Sequence, residues 1–152
     1  MNKFNILLPL IIFMCVSCTD KSIKPSADSQ SATDAFNIIT TIRTAYEEKD
    51  KAALQNHMGT LLAENTIKGL LFEKAALTIT PRMVTITDES LKVNIMWSGY
   101  WWLTKDKKLE NRGVADLVFH NDSMKLTYID GDNPFIIPSE KNRTNSFPVL
   151  QN

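Results

Sequence analysis

The chain has 152 residues, 43% of them hydrophobic, which suffices for one domain with its own core. Seventeen Lys and Arg balance seventeen Asp and Glu, and this neutrality argues against a nucleic-acid binder, which displays a basic stripe. Two cysteines are too few for a disulfide scaffold, and no repeat or low-complexity block divides the chain.

The first segment in chain order carries Lys3, an apolar run from Ile6 to Val16, then Ser17 and Cys18. A charged start, a short apolar stretch and a small residue at the cut make a secretory signal, too short to span a bilayer core of roughly 30 Å. Val16-Ser17-Cys18 resembles the lipobox of bacterial lipoproteins. That resemblance implies removal of residues 1–17, lipidation of Cys18, and a domain held in the bacterial cell envelope, outside the cytoplasm, by a lipid anchor in the membrane. A plain signal cut near Ser17, or an uncleaved anchor, is the alternative. Residues 18–33, rich in Ser, Asp, Lys and Ala, read as a flexible tether, so the domain is expected over 34–135 and a tail over 136–152.

Asp34 is placed to cap a helix whose apolar positions Phe36, Ile39, Ile42 and Tyr46 recur at helical spacing. After the break at Glu48-Lys49-Asp50, a second short helix follows, with Asp50 as N-cap, Ala53, Leu54, His57 and Met58 toward its inner side, and Gly59 as its end. Thr60 opens a third helix with Ala63, Ile67, Leu70 and Leu71 on one face.

From Ala76 the apolar period changes to two. Strands are predicted at 77–80, 83–87, 91–103, 110–120 and 123–130, with turns at Asp88-Glu89-Ser90, 105–108 and Asn121-Asp122. Choosing the register that gathers apolar residues on one face pairs Phe119 with Met124, Leu117 with Leu126 and Ala115 with Tyr128. The preceding hairpin then pairs Val93 with Phe119, Ile95 with Leu117, Trp97 with Ala115 and Gly99 with Gly113, and the sheet is expected to bend at the glycines. Helices followed by a long antiparallel meander make an α+β fold.

The helical segment AYEEKDKAALQNHM and the strand segments VNIMWSGYW, ENRGVADLVF and LTYIDGDNPF resemble the nuclear transport factor 2-like superfamily, and more closely its small SnoaL-like bacterial branches. The resemblance implies a cone-shaped fold with helices packed on a strongly curved antiparallel sheet, a pocket between them, and frequent dimers formed through the sheet. It implies no single activity.

Within such a cone, Trp97, Trp101, Tyr128 and Asp130 near the bend, with Tyr46 from the first helix, are the pocket candidates. Aromatic residues on an inner face are ordinarily core, and Asp130 has an ordinary role in the Asp130-Gly131-Asp132-Asn133-Pro134 turn. At the end of an apolar row Asp130 could instead serve as a base. His57 is the other weak catalytic candidate; His120 stands beside a hairpin turn and is expected to be solvated. No His/Cys/Asp/Glu cluster has metal-ligand spacing, no phosphate loop or nucleophile elbow is present, and no cofactor is expected. Tyr100 and Trp102 point to the opposite face; with Arg112, which the register sets against Tyr100, they are the dimer-interface candidates. The function expected is a membrane-tethered, non-catalytic binding or assembly module for a small apolar ligand or a protein partner. The alternatives are an isomerase, cyclase or dehydratase of the SnoaL or ketosteroid isomerase type, and a purely structural homodimer.

Overall fold

The computed structural model describes residues 26–138. The signal segment with Cys18 and the tail beyond Pro138 lie outside the described residues.

Helix α1 (Ala27–Glu48) begins well before Asp34. Ser26 is its cap, accepting a bond from the Ser29 amide at 3.2 Å, and Asp28 in the first turn complements the helix dipole. Asp34 lies inside the helix, where the Gln30 amide donates to its carboxylate at 2.9 Å. The Ser- and Ala-rich stretch expected to be tether therefore supplies, from Ser26 on, a cap and helical turns. The helix buries Ala35, Ile39, Ile42, Ala45 and Tyr46, while Phe36 is left on the exposed flank. Lys49, at φ 60°, ends it in the left-handed conformation, and the Asp50 amide returns to the Ala45 carbonyl at 2.8 Å.

Asp50 caps α2 (Lys51–His57) as expected, accepting from the Ala53 amide at 3.0 Å. Gly59 opens α3 (Thr60–Lys68) rather than closing α2: its carbonyl accepts from Ala63, and its amide bonds Leu126 at 2.7 Å. Ala63 and Thr66 are the buried residues of α3. Leu71 is exposed because the helix stops at Gly69, so helical spacing no longer governs it.

The sheet has four antiparallel strands in sequence order, β1 (Lys74–Ile86), β2 (Ser90–Thr104), β3 (Lys107–His120) and β4 (Leu126–Gly131). The two strands expected over 77–87 are one, broken only by a bulge between Pro81 and Met83. Proline is tolerated there because β1 is an edge strand.

The β2–β3 pairing is displaced by two residues from expectation. Leu91 faces Phe119, Val93 faces Leu117, Ile95 faces Ala115 and Trp97 faces Gly113, while Gly99 faces Asn111. The hairpin closes on Lys105-Asp106 with Thr104 opposite Lys107, and that tight turn sets the offset. Two residues is one side-chain period, so every side chain keeps its face.

The β3–β4 pairing departs further. Phe119 faces Leu126, and a bulge then sets Val118 against Tyr128, Leu117 against Ile129 and Asp116 against Asp130. The connecting turn is longer than Asn121-Asp122: the Met124 amide bonds the His120 carbonyl and Met124 itself has φ 49°. An odd-numbered slip exchanges faces. Tyr128 and Asp130, expected inside, therefore stand outside. The core lies between the helices and the concave face, where Ile42, Tyr46, Leu54 and Met58 meet Val93, Ile95, Trp101, Leu117, Phe119 and Leu126, all fully buried.

Candidate functional site

The cone interior near the end of α1 is aromatic. Tyr46 reaches it from α1, Trp97 and Trp101 from β2, Phe72 from the segment after α3 and Phe135 from the segment after β4, and all are buried. The Trp101 indole N–H donates to the Tyr46 hydroxyl at 2.9 Å. Tyr46 packs against Phe72 at 5.1 Å and edge-on against Phe135 at 5.5 Å, and Trp97 stands perpendicular to Trp101 at 6.3 Å. These separations suit favourable aromatic packing. Burial pushes the Tyr46 phenol up to about 12, against the opposing effect of the Trp101 bond. It is therefore a neutral hydroxyl at any ordinary pH.

Two glycines make room for this arrangement. A β-carbon at Gly99 would lie 2.4 Å from Leu77 and 2.7 Å from the Trp101 ring, so Trp101 occupies space that any larger residue would take. A β-carbon at Gly113 would lie 2.4 Å from that of Asp132, which rests on the bare backbone. Asp132 also ties down its own segment. Its amide bonds the Val114 carbonyl at 3.0 Å, its carboxylate accepts from the Val114 amide at 3.3 Å, and its carbonyl accepts from the Trp97 indole at 2.6 Å.

Of the pocket candidates, Tyr46, Trp97 and Trp101 come together and pack on one another. Tyr128, 59% exposed, and Asp130, also exposed, lie on the outer face across from Val118 and Asp116. Asp116 rather than Asp130 holds the structured carboxylate there: the Asn94 amide donates to it at 2.6 Å and Lys92 approaches to 3.2 Å, and these partners lower its pKa. His57 is half-buried in the last turn of α2, where a basic residue suits the helix dipole. His120 is exposed beside an open depression of about 450 Å³ bordered by Asp88, Glu89, Ser90, Asn121 and Asp122. Among the described residues, no group of three or more His, Cys, Asp or Glu could hold a metal ion. The buried aromatic group supplies shape, apolar surface and one neutral hydroxyl; it brings no carboxylate or imidazole into the interior.

On the outer face, Tyr100 and Trp102 are half-buried neighbours with ring centres 6.2 Å apart. The Lys108 ammonium lies 3.8 Å from the Tyr100 ring centre and 5.1 Å from that of Trp102, and Lys74 lies 5.3 Å from Trp102. Arg112 faces Ser98, not Tyr100, because of the two-residue offset; Glu110 faces Tyr100. Sequence reasoning missed Phe72, Phe135 and Asp132. The Asp-Asn-Pro-Phe turn after β4 signals a change of direction, but not that its phenylalanine enters the cone.

This arrangement of helices on a curved meander has solved counterparts. A nuclear transport factor 2-like superfamily protein from Salmonella enterica serovar Typhimurium aligns over 80% of this chain and all of its own, with TM-score 0.60 and 10% identity. The Kfla4162 protein from Kribbella flavida aligns over 70% of this chain and 93% of its own, with TM-score 0.57 and 9% identity. No protein-family model matches the sequence, and no curated protein matches it significantly. The domain has the nuclear transport factor 2-like α+β fold. At this identity the likeness defines architecture, and the activity has to be argued from the side chains.

Proposed function

We propose that the chain is a non-catalytic assembly module, held at a bacterial membrane by a lipid on Cys18 and paired with a second copy of itself through the outer face of the sheet. The observation that carries this reading is an exposed apolar row across β1, β2 and β3. Met83, Met96 and Val114 are 61%, 52% and 44% exposed, Met96 and Val114 are direct cross-strand partners, and Met83 faces Asn94 beside them. Tyr100 and Trp102 extend the row toward the β2–β3 turn, and large aromatics with Met and Arg are the residues enriched in interfaces.

The charge on this face favours a like partner. Lys74, Lys92, Lys108 and Arg112 are interspersed with Glu110, Asp116 and Asp130, so two copies meet opposite signs rather than one repelling field. The non-catalytic part of the reading is supported by the placement of Asp130 on the outer face and by an interior lined with aromatic side chains. Sedimentation of the Cys18→Ser chain tests the pairing. A dimer is expected, and Met96→Lys, which sets an unpaired ammonium in the apolar row, should weaken it about a hundredfold or more. A Cys18→Ser chain that sediments as a monomer at high concentration would remove the reading.

A further inference from the structure

Strand β4 covers only part of β3. It pairs from Ala115 to Phe119 and leaves the sheet at Gly131, where φ is 93° and a β-carbon would lie 2.7 Å from the Val114 carbonyl oxygen. β3 itself extends to Lys107, so from Lys107 to Gly113 it has β2 on one side and, among the described residues, no strand on the other. The direction of this edge is set at Val114. Its carbonyl accepts from the Asp132 amide at 3.0 Å and its amide donates to the Asp132 carboxylate at 3.3 Å, so both groups point away from β2. Every second residue of a strand repeats that direction, which turns the backbone amides and carbonyls of Lys108, Glu110 and Arg112 to the open side. The side chains from Lys107 to Arg112 are exposed, Leu109 excepted.

Charge ordinarily protects a free edge, and a run of lysines alone would repel a second strand. Here the signs alternate in a way that suits self-pairing. From Asp106 to Arg112 the sequence is Asp-Lys-Lys-Leu-Glu-Asn-Arg. Laid antiparallel on itself about Leu109, it sets Lys108 against Glu110 of the other copy, twice over, and brings Arg112 to the turn residue Asp106. Centring on Glu110 instead would oppose Lys108 to Arg112 and glutamate to glutamate. The backbone favours the same centre: Lys108 and Glu110, whose peptide groups face outward, become hydrogen-bonded pairs, and Leu109 becomes the non-hydrogen-bonded pair on the axis. We propose that this edge of β3 pairs antiparallel with the same edge of a second copy, about a two-fold axis through Leu109, joining two four-stranded sheets edge to edge. Leu109 is already only 4% exposed, so the contact buries little apolar surface and is too weak to change what sediments in dilute solution. It acts where copies are concentrated, and this use rests on the membrane attachment proposed above, which raises the concentration each copy presents to its neighbours. A copy paired through its outer face still presents its β3 edge, so the two contacts together extend the assembly beyond a dimer.

Disulfide trapping tests the edge, because an irreversible link accumulates even from weak pairing. In the proposed register Lys107 lies opposite Asn111 of the other copy as a non-hydrogen-bonded pair, about 4.5 Å apart at the α-carbons, within reach of a disulfide. In the full chain carrying Cys15→Ser and Cys18→Ser, an equal mixture of Lys107→Cys and Asn111→Cys proteins is oxidised with diamide. The mixed dimer should form about tenfold or more faster than either protein links to itself. Adding Glu110→Lys to both proteins should slow the mixed link about tenfold, and adding Lys108→Glu as well should restore it. Met96→Lys in both should leave the rate unchanged. A mixed dimer that forms no faster than the Asn111→Cys dimer, or a charge exchange that does not restore the rate, overturns the proposal. Absence of any link, as a tail of residues 139–152 seated on the edge would produce, overturns it as well. A rate that collapses with Met96→Lys would assign the contact to the outer face and refute the edge. Fast, charge-dependent trapping in a Cys18→Ser chain that sediments as a monomer would support the edge while removing the face pairing.

Discussion

Tyr46 is the residue at which burial, polarity and position meet. Its phenol rises to about 12 chiefly because the interior penalises the charged form. A phenol whose folded-state pKa is raised contributes stability that is present below pH 10 and lost as pH rises toward 12, because the unfolded chain releases that proton more readily. A shift from 10.0 to about 12 corresponds to about 3 kcal/mol. Urea denaturation should show this loss between pH 10 and 12 in the unaltered chain, with that component missing in Tyr46→Phe. At pH 7 the same variant should be less stable by about 1–2 kcal/mol, since the buried Trp101 N–H loses its acceptor. Gly99 gives a second residue-scale outcome. Alanine there would collide with Leu77, whose tip can move, and with the Trp101 ring, which is buried and cannot, so Gly99→Ala should cost about 1–3 kcal/mol by thermal denaturation. Both Trp101 and Tyr46 were legible in the sequence as inward-facing residues. Asp130 was not, because its face depends on a bulge elsewhere.

The elements divide by how local their determinants are. The α2 cap was readable because Asp50 and the Ala53 amide it bonds are three residues apart, and nothing distant alters that geometry. Asp50→Ala should therefore cost about 1 kcal/mol in denaturant unfolding, with Asp50→Asn largely restoring it. The start of α1 was missed because Ser26, Asp28 and Gln30 have the composition of a linker, while their spacing forms a cap and an internal side-chain bond. Strand existence was plain from alternation, and the β2–β3 faces held despite a wrong offset, because the offset was even. The β3–β4 faces did not hold. A five-residue excursion from Asn121 to Lys125, followed by a bulge at Thr127, leaves no signature in alternation, since Leu126 and Tyr128 look alternate in sequence and lie on opposite faces of the sheet. Whether a strand near a turn keeps its register is decided by turn conformation, here a methionine at φ 49° that no local rule anticipates.

For the molecule as a whole, the proposed attachment to the membrane and the proposed pairing through the sheet are separable. Among the described residues no helix is long and apolar enough to cross a membrane, and the reading proposed above assigns attachment to Cys18. Each buried methylene of an acyl chain contributes about 0.8 kcal/mol, so the several chains of a lipoprotein anchor hold one copy without help from a second. The proposed pairing, by contrast, is assigned to the Met83–Met96–Val114 row, at the other face of the sheet from the helices. Fractionation of cells expressing the full chain should then give two distinct outcomes. Cys18→Ser should move the protein out of the membrane fraction while leaving its sedimentation as a dimer unchanged. Met96→Lys should leave it membrane-bound, with an acylated Cys18 by mass analysis, and monomeric after extraction in detergent. Loss of Met96→Lys from the membrane would mean that one anchor is insufficient and that pairing supplies a second by proximity, as bivalent attachment does. Retention of Cys18→Ser at the membrane would instead assign attachment either to the uncut apolar run from Ile6 to Val16 or to the domain, and a chain lacking residues 1–17 separates the two: if it too is retained, the Tyr100–Trp102 pair and its two lysines are the first surface to alter.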